Sequence, residues 1–403
     1  MEKLSKKKYS YLNHKQVPCE FQELFIYTGY RSPNSSFRSC LKSIFCLDNN
    51  ETINFWTHFI PFLVALVSFL KHILNESFLN DRLAHPLLIY LFTIFFYLFM
   101  SSLAHMLNCM SPIARHVCFI LDYLSISTYG MGCAIAYKTY TLSTIKSIQI
   151  DKLFDYYILL VLIVSSLSNI MSCSSRFVIL PFKRNMLRAF SFIFQYIFVN
   201  LPILYRYIYF YHPFIFKNIS FMFSFLSSSE ITVVHMMSHD TNNNNNNNFN
   251  FKIGSDLFYL GQLIAALASA ILYIFHVPER FWPGRFDIIG QSHQIFHLTS
   301  FVCSWCQFMA LKYDMRQLVE MINEHSIIDK MSFGYSIVPL FNFKISNFMI
   351  MGLCLVVNFF ILIYYYFKAV NFNPWINLNK QQDKNKISNK SKKRLINKFI
   401  KKE

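Results

Sequence analysis

The sequence predicts an all-α polytopic membrane protein with about eight membrane-crossing helices. Three observations predict it. Of 403 residues, 54% are hydrophobic and only 15% charged, where a soluble domain carries about 25% charged residues. About eight apolar runs have the length of roughly 20 residues that crosses a bilayer as a helix. Lys and Arg gather at both ends and in alternate loops, the pattern that orients a polytopic chain. Phe is abundant (45) and Gly scarce (9), so bulky spans are expected and Gly-mediated close packing is not.

The apolar runs fall at about 54–73, 86–108, 115–137, 154–173, 187–211, 256–276, 287–310 and 346–367. Ser and Asn punctuate the fourth, while the eighth is uninterrupted. The chain then divides into a cytoplasmic N-terminal segment (1–53), a bundle (54–367) and a basic cytoplasmic tail (368–403). A cytoplasmic N-terminus collects Lys3, Lys6, Lys7, Lys8, Arg31, Arg38, Arg115, Arg176, Arg184 and Arg188 on one side, together with the tail. Glu76, Asp81, Glu320, Glu324 and Asp329 then fall opposite. An even number of spans follows. Glycosylation triplets at Asn75 and Asn218 fall on the outer side, although similar triplets fall inside.

The net charge of +17 flanks apolar spans, so anionic membrane lipids are the expected partner. No nucleic-acid-binding signature accompanies it. Ten scattered cysteines form no secreted disulfide framework. Cys303 and Cys306 make a C-x-x-C inside an apolar span, where thiols act as small apolar residues. Residues 1–43 hold no apolar signal-peptide core. The Asn-rich loop (240–250) is expected to be disordered, and a short amphipathic helix is expected near 395–400.

The chemistry lies in polar residues inside these spans. His293 and His297 are four apart and share a helix face. Ser101 and His105 share another, and Asp122 lies on a third segment. Intramembrane ionisable residues are costly and mark functional sites. At about 1.5 Å per residue, His105 lies roughly 6 Å deep, Asp122 roughly 10 Å and His293 roughly 12 Å, with His297 one turn deeper. That shared depth predicts one site. Three imidazoles are zinc ligands that leave a fourth position for water, with Asp122 to accept a proton from it. Ser101 would bond Asp122 or that water; the alternative is its own backbone carbonyl. A structural zinc, or a hydrogen-bonded polar core without metal, is the competing reading. Glu51, Asn54 and His58 stand at the start of the first span, where Asn50 and Glu51 are expected to cap the helix. Asp287 is expected to cap the seventh.

These residues resemble the progestin and adipoQ receptor family. The likeness begins at Gly29-Tyr30-Arg31 and continues through Asn50-Glu51-Thr52-Ile53-Asn54-Phe55-Trp56-Thr57-His58. It includes Ser101-x-x-x-His105 and Asp122-Tyr123, and it ends at His293-x-x-x-His297. The run Pro278-Glu279-Arg280-Phe281-Trp282-Pro283-Gly284-Arg285 resembles the membrane progestin receptor branch, as does the eighth span. The resemblance implies a seven-helix adiponectin-receptor-like bundle plus an eighth C-terminal transmembrane helix. It implies that Ser101, His105, Asp122, His293 and His297 form a zinc site. It further implies a plasma-membrane receptor for a steroid or sphingolipid-like ligand, often linked to G proteins. A distant likeness to alkaline ceramidases implies the alternative, a zinc-dependent lipid amidase in which Asp122 and Ser101 would be catalytic. The Asn tract and the long loop that holds it depart from the family and leave the natural ligand open.

Overall fold

In lipid, backbone N–H and C=O groups must be satisfied within the segment, so apolar runs fold as helices. The computed structural model describes residues 11–18, 21–75, 78, 80–143, 154, 156–209, 253–325, 335–338 and 343–372. All eight predicted runs contain a helix there. A short α1 (Phe37–Ser43) precedes α2 (Thr52–Ile73), α3 (His85–Leu107) and α4 (Pro112–Ala136), and α4 continues into a π-helical turn, Tyr137–Thr141. Then follow α5 (Tyr157–Ser175), α6 (Pro181–Val199), α7 (Ile253–Phe275), α8 (Ser292–His325) and α9 (Asn347–Val370). A small antiparallel hairpin, β1 (Tyr335–Val338) and β2 (Phe343–Ser346), precedes α9. The chain is an all-α polytopic membrane protein, and this hairpin is its one sheet among the described residues. The Asn218 triplet, the Asn tract at 242–248 and the expected helix at 395–400 lie outside the described residues.

Six helices are long and apolar enough to cross a membrane among the described residues. A bent pair makes seven: α6 and Leu201–Tyr209 meet at 47°. Pro202 brings no N–H to the ladder there, and the Asn200 side chain donates to the Tyr196 carbonyl at 2.8 Å, which accounts for the bend. α8 is long enough, but its first turns carry the site's polar residues. Its second half carries Lys312, Asp314, Arg316, Glu320 and Glu324.

The helices face lipid with apolar stripes at helical spacing. On α7, Leu257, Leu260, Ile264, Leu267 and Ile271 are all exposed. The opposite face is polar and bound: Tyr259 donates to Asp314 of α8 at 2.7 Å, and Ser269 donates to Thr299 at 2.7 Å. In a membrane such bonds, rather than apolar burial, hold helix pairs together. α4 is the most enclosed span and packs against α3, α5, α6 and α9.

The N-terminal segment locks the end of the bundle that holds the site. Gly29 has a positive φ of 80°, and a Cβ there would come within 2.3 Å of the Ile288 side chain. Only glycine fits both requirements. Its carbonyl accepts from Asn50 N at the head of α2. Arg31 then reaches the C-terminal end of α3, where the helix leaves carbonyls unpaired. Its two terminal nitrogens donate to the carbonyls of His105 and Met106, to Ser43 Oγ and to Asn108 Oδ1. The positive charge also complements the helix dipole. Arg31→Lys keeps the charge and loses the fork, so it is expected to cost about 1–2 kcal/mol, read as a lower melting temperature of the purified protein. An unchanged melting temperature would show that this staple adds nothing.

Candidate metal centre

His105 lies on the last turn of α3, and His293 and His297 lie on the first turns of α8. The head of α8 is held in place by several bonds. Glu279 accepts from Ser292 N at 2.7 Å and also from Ser292 Oγ. Gln291 donates to the Asn50 carbonyl at 3.0 Å, which ties α8 to the head of α2. The predicted cap, Asp287, is a correction. The helix begins at Ser292, five residues later than Asp287, and the Asp287 carboxylate instead accepts from Thr28 N and Oγ1, both at 2.7 Å. It anchors the N-terminal segment rather than the helix.

The three imidazoles meet as the sequence predicted. One ligand atom from each lies within 4.8 Å of the others. His105 Nδ1 faces the Glu51 carboxylate at 2.8 Å. His297 Nδ1 faces the Asn54 carbonyl at 3.2 Å and Thr57 Oγ1 at 3.0 Å. A carboxylate or carbonyl oxygen only accepts, so each Nδ1 carries the hydrogen and each Nε2 keeps a lone pair for a ligand. His293 Nε2 stands 3.3 Å from His105 Nε2. Two imidazoles bound tetrahedrally at about 2.0–2.1 Å place their nitrogens roughly 3.3–3.4 Å apart, so the donor set fits zinc. His58 stacks on His297 with ring centroids 3.8 Å apart, and both of its buried ring nitrogens lack a protein partner among the described residues. That orphaned donor–acceptor pair is a second sign that the site accommodates a further group.

Asp122 is buried on α4, with Ser101 and His105 as neighbours that act on its carboxylate. Ser102, not Ser101, makes the bond back to its own helix, to the Leu98 carbonyl at 2.8 Å. Asp122 stands beside the trihistidine cluster and is not one of its three ligand-bearing residues.

Glu51 is the residue whose role sequence reasoning misassigned. It occupies the cap position of α2 but makes no capping bond. Asn49 does that work, accepting from Glu51 N at 3.0 Å and Thr52 N at 3.1 Å. Glu51 is left to accept from His105, from Asn108 Nδ2 at 2.7 Å and from Asn54 Nδ2 at 3.3 Å. Burial is the largest single influence and opposes its ionisation, but the bond from His105 together with the charges of His105, Arg31 and Arg115 holds the carboxyl below the usual carboxylate range. A carboxylate on the far nitrogen of a metal-ligating histidine orients the ring and raises its basicity. The spacing of Glu51, Asn54 and His58 was the available signal: three polar residues on one face of a membrane helix.

Comparison with known proteins places the chain in a family. Residues 47–308 match the family described as haemolysin-III related. The chain is 33% identical to membrane progestin receptor gamma of Homo sapiens over 301 residues, 74% of this chain and 79% of that protein. It is 33% identical to membrane progestin receptor delta of Mus musculus over 302 residues, 74% of this chain and 77% of that protein. With membrane progestin receptor alpha of Homo sapiens it shares 26% identity over 314 residues, 77% of this chain and 79% of that protein. The matched stretch contains the motifs from Asn50 to His297 that assemble the trihistidine cluster, and the chain belongs to the haemolysin-III related family, that of the progestin and adipoQ receptors.

Proposed function

We propose that this chain is a membrane receptor for a steroid or related lipid, coupled to intracellular signalling, with a zinc ion held by His105, His293 and His297. The observation that carries the reading is the similarity to membrane progestin receptors over about 300 residues, 74% of this chain. The ligand class follows from those relatives, and the cluster's geometry supports the metal. Bound zinc would supply Lewis-acid character at the end of the bundle closed by the N-terminal segment. Glu51, Asn54 and Thr57 would set the two flanking rings, and Asp122 with Ser101 would stand ready to hold a proton or a polar group of the ligand. The same reading puts the protein in the plasma membrane with both termini in the cytoplasm and G proteins as signalling partners. The distribution of Lys and Arg supports the orientation.

The test is equilibrium binding of radiolabelled progesterone to the purified chain in nanodiscs, with a sterol competitor series. Saturable, displaceable binding is expected. Only non-saturable partitioning across the series would sink the steroid reading. The lipid-amidase reading draws on the position of Asp122 and Ser101 beside the cluster. It predicts turnover of ceramide to free base by the same sample, lost in Asp122→Asn; binding without turnover sets it aside.

A further inference from the structure

A cavity of about 90 Å³ opens beside His105 and His293, and its wall is rich in arginine. Arg115 comes from the first turns of α4, and Arg176 follows the last residue of α5. Arg184 and Arg188 lie one turn apart on α6 and so share a face. Four guanidiniums from three helices line one space.

Little among the described residues answers that charge. Glu23 accepts from Arg115 at 2.8 Å and is itself 49% exposed. The other two acids on the cavity wall are committed elsewhere: Glu51 to His105 and Asn108, and Glu279 to the head of α8. Among the described residues no carboxylate pairs with Arg176, Arg184 or Arg188. Aromatic rings brace two of them. Arg176 lies over Phe119 at 4.7 Å, and Arg188 lies over Tyr123 at 4.8 Å while donating to Tyr273 Oη at 3.0 Å. Among the described residues, buried donors lack a partner, namely Nε of Arg115 and Arg176 and one terminal nitrogen of Arg188. Burial, and then the neighbouring Arg115, Arg188 and Arg184, push the Arg176 guanidinium down to about 10. Gathering like charges with idle buried donors is costly unless an anion joins them.

We propose that this arginine vestibule is an anion site that takes a phosphate group, carried by a lipid or free in solution. Guanidiniums arriving from three helices suit an acceptor whose oxygens point in several directions. A phosphate monoester has three such oxygens and about −1.5 to −2 charge, whereas a carboxylate offers two oxygens in one plane. A water needs only about 10–15 Å³ of such space, so the cavity admits a group of several heavy atoms. The site is independent of the steroid reading: a chain that bound no steroid would still bind phosphate here.

The experiment uses the full chain in phosphatidylcholine nanodiscs. Thermal stability is followed while inorganic phosphate replaces chloride at constant ionic strength. A second arm compares discs containing phosphatidic acid with discs of equal surface charge containing phosphatidylglycerol. A saturable stabilisation in either arm is expected. Phosphate alone identifies the free ion as the source, and phosphatidic acid alone identifies a lipid headgroup. Arg176→Gln with Arg184→Gln is expected to weaken the midpoint at least about tenfold, while Lys183→Gln, exposed beside them, leaves it unchanged. If the double variant fails to fold, Arg176→Lys, which keeps the charge and loses the fork, is expected to weaken it severalfold. No saturable response from the wild type in either arm overturns the proposal. So does equal binding by the arginine variants, or binding that disappears with EDTA and therefore belongs to the metal.

Discussion

His105→Ala and His293→Ala are each expected to purify without zinc, beside a wild type that carries about one zinc per chain. Each substitution removes one of the three nitrogens that converge within 4.8 Å. The two residues come from different helices, α3 and α8. Parallel loss in both variants would therefore report one shared site rather than two local ones. Two imidazoles alone leave zinc with too few protein ligands for the three- or four-ligand sites in which it is held. Elemental analysis of protein purified in detergent, matched for folding by its elution profile, reads the outcome directly. A folded wild type without metal would remove zinc from the proposed function. His105 and His293 would then be a hydrogen-bonded pair 3.3 Å apart in a polar core.

Glu51→Gln is expected to weaken zinc binding about 10–100-fold while leaving the chain folded, as measured by competition with a chelator of known affinity. The argument rests on donors. His105 Nδ1, Asn108 Nδ2 and Asn54 Nδ2 all point at the Glu51 carboxylate. A carboxylate accepts all three, but a glutamine turns one of its two atoms into a donor facing another donor. Either His105 loses the partner that holds its ring, or Asn108 does. Asn108 also accepts from Arg31, so the disturbance would reach the staple at the end of α3. Unchanged affinity in Glu51→Gln would show that the carboxylate serves packing and does not tune the ligand.

Much of the fold was legible because a bilayer removes alternatives. A run of about 20 apolar residues in lipid has only helical solutions, so composition alone located α2 to α9. The same logic found His293 and His297, since spacing by four places two side chains on one face whatever the rest of the chain does. Depth along the helices aligned His105 and Asp122 with them. The predicted single span at 187–211 is bent instead, because Asn200 and Pro202 interrupt its ladder, a local effect that apolar content does not register.

What sequence periodicity could not supply is the rotation of one helix about its axis relative to its neighbours. Glu51 reads as a helix cap until the placement of His105 shows where its carboxylate goes. Asp287 reads the same way until Thr28, 259 positions earlier in the chain, claims it. Arg115, Arg176, Arg184 and Arg188 each read as ordinary positive-inside anchors, and only the packing of α4, α5 and α6 turns them toward one cavity. By itself, then, the sequence determined that this is a multi-pass helical membrane protein with a polar, histidine-bearing layer near one face, because helix formation and facial spacing are local properties. Which carboxylate holds which imidazole, and which charges share a space, was decided only by tertiary structure, because those facts depend on how separate helices pack.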